Sequence, residues 1–104
     1  MFLGDAVWTY KTVTQHSHNG VPTGKTFAAN VCDIHGAREA VALKTEDLTD
    51  QFVMAVAERV PWVLFGYDPA WEHMWKKDKQ SLYDLVDERR RQMAEDLRRE
   101  REES

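Results

Sequence analysis

Two short stretches of this 104-residue chain hold most of the residue types that bind metals or act as nucleophiles. "QHSHNGVPTGKT" (15–26) sets His16 and His18 one residue apart and ends in Gly24-Lys25-Thr26; "CDIH" (32–35) places Cys32 three residues before His35. Three chemistries are open to these types. His16, His18, Cys32 and His35 are four ligands that zinc accepts, the number a structural site needs. Cys32 beside His35 is a thiol that an imidazole can activate. The glycines before Lys25-Thr26 suggest part of a phosphate loop.

The elements that must position these residues argue against all three. Asn19-Gly20, followed by Pro22 and Gly24, concentrates residues that supply positive φ or fix φ near −65°, so the chain reverses there between two strands. If the turn closes with His18 facing Lys25, then His16 faces Phe27 and Cys32 faces Lys11. Five residues of strand then put Cys32 roughly 16 Å from His16, and a tight Asn19-Gly20 turn moves them further apart. Zinc ligands must each lie about 2.0 to 2.3 Å from the ion. No shared metal site is expected, and no cofactor. The phosphate loop fails on spacing, since three residues separate Gly20 from Gly24 where the motif has four, and the segment after Thr26 reads as a strand where the motif opens a helix. For catalysis, Cys32 and Asp33 point to opposite faces of one strand, and no third group is placed to orient His35. A cysteine packed as a small apolar side chain is the ordinary alternative.

The fold these signals describe is α+β. "AVWTYKTVTQ" (6–15) and "KTFAANVCDI" (25–34) are rich in β-branched and aromatic residues and read as the two strands of a hairpin. "AREAVALK" (37–44) fits helix or strand; a third strand is favoured, because a meander is more stable than a lone hairpin. The β part thus runs from 6 to 43 and a helical part from 45 to 104, within one domain. Thr45 opens a helix over 46–60 with Glu46 and Asp47 in its first turn, Leu48, Phe52, Val56 and Val60 at helical spacing, and Pro61 as its stop. "WVLF" (62–65) is a buried connection or a short strand. Asp68-Pro69 starts a long or kinked helix reaching about residue 100, with Ser81 and Asp84 resembling a capping box at the break. Its apolar stripe of Leu82, Leu85, Val86, Met93 and Leu97 thins past Arg89, and the charged end carries acid-before-base pairs such as Asp87–Arg91 and Glu95–Arg99.

Composition narrows the function. The net charge of −4 belongs to residues 1–75, which hold five basic and nine acidic residues; residues 76–104 hold nine of each. A domain that works by neutralising phosphates shows a basic excess somewhere, and this one does not. Lys76, Lys77, Arg89, Arg90 and Arg91, with the hairpin, form the nucleic-acid alternative, but acids surround them and consecutive arginines on a helix point about 100° apart. The one cysteine excludes an internal disulfide and suits a reducing compartment; the start "MFLGDAVW" lacks the basic residues of a signal peptide, and no apolar run approaches the ~20 residues of a membrane span. A cytoplasmic protein without a membrane role is expected.

The aromatics remain. Trp62, Phe65, Tyr67, Trp71 and Trp75 crowd fourteen positions, and a domain of this size struggles to bury every tryptophan. The expectation is a non-enzymatic interaction or adaptor module, with the make-up of a phage-type accessory protein. It would dock another protein, or a second copy of itself, through Trp62, Trp71, Met74 and Trp75 and through Leu82, Val86, Met93 and Leu97 on the last helix. A nucleic-acid-binding module comes second. A zinc-stabilised domain or small enzyme around Cys32 and His35 comes third.

Overall fold

The computed structural model describes residues 3–103. After a short 3-10 turn at Leu3–Asp5 come β1 (Ala6–His18), β2 (Val21–Asp33), β3 (Arg38–Leu43), α1 (Glu46–Arg59), β4 (Leu64–Phe65), α2 (Pro69–Lys77) and α3 (Lys79–Glu103). The four strands form one sheet in the order β3-β2-β1-β4, antiparallel except that β4 runs parallel to β1. The architecture is the expected α+β meander with helices, and residues 38–43 are a strand.

Alternation along the strands feeds two cores on opposite faces of the sheet. Trp8, Tyr10, Cys32 and Leu64 point to one face, where Trp75 of α2 and Leu82 and Val86 of α3 cover them. Ala6, Val31 and Val63 point to the other, against Val56 of α1 and its C-terminal neighbour Val60. A bulge at Val7, between the pairs Ala6↔Asp33 and Trp8↔Cys32, buries an additional side chain. Lys11 fastens the hairpin to α1 through Asp50 at 2.9 Å and Glu46 at 3.5 Å. Within the sheet, buried Asn30 is satisfied by donating to Thr12 Oγ1 at 2.7 Å and the Tyr10 carbonyl at 3.4 Å.

The helix ends follow their capping residues. Thr45 Oγ1 accepts from the Leu48 N–H, and Asp68 accepts from Ala70 with Pro69 at the first helical position. The break between α2 and α3 falls at Asp78, not at Ser81: the Asp78 carboxylate accepts from both the backbone N–H and the hydroxyl of Ser81, which makes Ser81 the capped residue. These two bonds hold the Asp78 carboxyl below its usual pKa range.

The hairpin register also differs from expectation. Asn19 (φ 52°) and Gly20 (φ 79°) form a two-residue turn, so His18 faces Val21 and Cys32 faces Trp8. Pro22 and Gly24, which read as part of the reversal, lie within β2; a bulge at Thr23 and the positive φ of Gly24 accommodate them. Thr12 to Thr26 therefore project, exposed, beyond both helical layers. The projection and the far end of α3 make the molecule 62 × 32 × 22 Å, with a radius of gyration of 16.5 Å against the ~13 Å of a compact domain this long.

Candidate functional site

The residues with reactive side chains are dispersed. His16 pairs with Gly24 in the ladder and its Nε2 meets Thr26 Oγ1 at 3.0 Å, near the hairpin tip, with His18 at the turn itself. Cys32 lies at the other end of β2, fully buried among the aromatic core. His35 is exposed beyond that strand and meets Asp5 at 3.3 Å. Among the described residues no three His, Cys, Asp or Glu side chains gather as metal ligands would. Burial pushes the Cys32 thiol up to about 11, partly opposed by Arg38, so it is held protonated. Gly24 stands inside a strand and opens no helix.

The basic side chains of the nucleic-acid alternative are largely engaged by their neighbours. Arg89 Nε donates to the Trp62 carbonyl at 3.1 Å, Arg90 stacks on the Trp62 ring at 5.0 Å, and Arg91 reaches Glu88 at 2.7 Å. Lys76 meets Glu72 at 3.5 Å. Lys77 is exposed on the last turn of α2. Arg89 and Arg90 thus converge on Trp62, while Arg91 turns to an acid of its own helix.

The tryptophan-rich region divides between core and surface. Trp75, Leu82 and Val86, expected at a docking surface, are instead spent on the chain's own fold, at 5%, 0% and 4% exposure. Arg38 braces this core from β3. Its Nη2 donates to both Glu72 carboxylate oxygens at 3.2 Å, and its guanidinium lies 6.0 Å from the Trp8 ring and 5.6 Å from Trp75. Trp71 and Met74 are half-buried against the same core, with Trp71 edge-on to Trp8 at 6.4 Å.

Trp62, Met93 and Leu97 remain at the surface and come together. Pro61 and Trp62, just past α1, form one wall of an open groove of about 510 Å³ whose other wall is α3, through Arg90, Met93, Ala94, Asp96, Leu97 and Glu100. Trp62 packs partly on both cores and turns the rest of its ring to this groove. Met93 is half-buried and Leu97 is 58% exposed. Burial along α3 ends at Val86, yet the apolar stripe continues for two more residues on the same side.

A second apolar patch was not anticipated. Met54, Phe65 and Tyr67, with Val53 and the Lys11–Asp50 pair, line a smaller groove beside β4, of about 410 Å³. The run "WVLF" concealed it, because four successive apolar residues do not reveal strand parity. With Val63 and Leu64 spent on opposite faces of the sheet, Phe65 is left 48% exposed.

No protein-family model, curated protein or solved structure matches this chain. Among the described residues no helix is long and apolar enough to cross a membrane.

Proposed function

We propose that this chain is a non-enzymatic docking module that binds a protein through the groove between Trp62 and the second half of α3. One observation carries the reading: α3 keeps its apolar stripe beyond the body that its first half covers, leaving Met93 and Leu97 beside a partly exposed tryptophan. Tryptophan and methionine are enriched at interface centres, where each offers a large apolar contact area. The charged residues around the groove supply a polar rim. With its single thiol free and buried, the module suits a reducing compartment such as the cytoplasm.

The test compares the proteins that co-purify with the untagged chain and with Met93→Glu/Leu97→Glu. Both positions lie outside the cores, so the variant is expected to keep its thermal transition and lose its partner. Retention of the same partner by a folded variant would refute the docking role of this groove.

A further inference from the structure

We infer that the occupant of this groove is the α3 helix of a second copy, lying antiparallel across a twofold axis near residue 95; this rests on the docking role proposed above. The inference comes from the order of side chains along the stripe. Val86, Arg90, Met93, Leu97 and Glu100 recur at spacings of four, three, four and three, the a/d rhythm of a coiled-coil seam. Val86 is buried in the chain's own core, which leaves Arg90, Met93, Leu97 and Glu100 as the open part of the seam, and all four line the groove.

Those four residues are complementary to their own reverse. Laid antiparallel about residue 95, Met93 of one copy meets Leu97 of the other, and Arg90 meets Glu100. Each contact occurs twice, as an isologous interface requires. An apolar helix from another protein would lie against Arg90 and Glu100 without counter-charges. A second copy supplies the opposite charge at both places. Pro61 and Trp62 then wall the incoming helix where its Leu97 and Glu100 arrive. The shared helical stretch, residues 90–100, is about 16 Å long, which puts the contact at the low end of specific interfaces, near 1,000 Å² in total. Association in the range of about 1 to 100 μM is expected of a contact of that size.

The experiment is sedimentation velocity on the full chain from about 5 to 500 μM at low ionic strength, a range set by that affinity. Wild type is expected to shift from monomer to dimer. R90E sets a carboxylate against Glu100 of the other copy, and E100R brings two guanidinium groups together, so each alone is expected to weaken dimerisation about tenfold or more, the cost of opposed like charges. An equimolar mixture of R90E and E100R is expected to form a mixed dimer, and the double variant R90E/E100R to recover self-association. The mixture guards against a folding artefact, since a misfolded chain is not rescued by a second single variant. Wild type that stays monomeric throughout the range overturns the inference, as does a mixture that stays monomeric while wild type dimerises. If monomeric wild type still captures another protein, and loses it in Met93→Glu/Leu97→Glu, the docking reading survives and only the second-copy assignment falls. If neither self-association nor capture occurs, both fall.

Discussion

Cys32 offers the sharpest test of whether reactive chemistry belongs in this molecule. Its sulfur is fully buried beneath Trp8, Trp75 and Leu82, and its thiol is pushed up to about 11 from 9.0. At pH 8 a thiol of pKa about 9 is roughly one-eleventh thiolate and one of pKa about 11 roughly one-thousandth, so ionisation alone slows a thiolate reaction about 90-fold. Access imposes a second barrier, because the reagent must wait for the sheet to part from α2 and α3. If that opening costs the lower end of a domain's stability, about 5 kcal/mol, labelling falls by about 10³-fold or more relative to the unfolded chain. The assay is reaction with an aromatic disulfide reagent in buffer and in 8 M urea, with urea defining the free rate. Stoichiometric labelling of the folded protein within a few-fold of that rate at pH 8 would refute the structural role and reopen nucleophilic chemistry. The same shift carries a sign for stability. The folded state disfavours the thiolate, so this contribution is fully present below pH 9.0 and is lost as pH rises from 9.0 toward about 11. The loss reaches on the order of 2 to 3 kcal/mol at its alkaline limit. Burial raises Tyr10 as well, which adds in the same direction above its ordinary 10.0. In Cys32→Ala the part of the alkaline decline due to the thiol should disappear.

Three further outcomes rest on the Arg38 brace and the dispersed ligands. Arg38→Met should lower unfolding free energy by about 1.5 to 3 kcal/mol, since it removes two cation–π contacts and leaves half-buried Glu72 with only Lys76 beside it. A double-mutant cycle with Glu72→Gln should give a coupling near 1 kcal/mol, and a value under about 0.3 would show that the pair is a passive surface contact. Dialysis against a chelator should leave Tm unchanged; a fall of more than about 5 °C that zinc reverses would mean that His16, His18, Cys32 or His35 bind metal in some other arrangement.

Where local chemistry decided the structure, the sequence was legible. Thr45 and Asp68-Pro69 start α1 and α2 because their side chains satisfy donors within the next three residues, and no distant partner is involved. The third strand was legible for a topological reason, since a hairpin edge needs a neighbour. The errors share a different origin. Pro22 and Gly24 carry turn signals, but two residues suffice to reverse the chain, and a bulge absorbs the others into β2; which glycine turns the chain is a matter of ladder register. At the α2–α3 break, Asp78 and Ser81 both have the side chains of caps, and only the position of the break selects the aspartate. The docking residues show the same limit. Leu82, Val86, Met93 and Leu97 form one stripe in the sequence, and nothing in their types says that the core covers the first two and leaves the others in the groove.

That division determines how α3 can persist. Its 25 residues span about 37 Å, but burial against its own sheet ends at Val86, at the start of the third turn. Past that point the helix is held by Arg89 and Arg90 on Trp62 and by local side-chain pairs such as Arg91–Glu88 and Gln92–Asp96. Pairs of this kind contribute about 0.2 to 0.5 kcal/mol each, enough to bias a helix but too little to fix one of this length against fraying. Simple solvation of such a segment would favour polar residues on every side. Met93 and Leu97 interrupt that pattern at seam spacing, and Arg90 and Glu100 flank them in the order that an antiparallel copy reverses. A helix that its own body supports over only a third of its length, and that carries an apolar seam over the remainder, is stabilised most simply by a second helix on that seam.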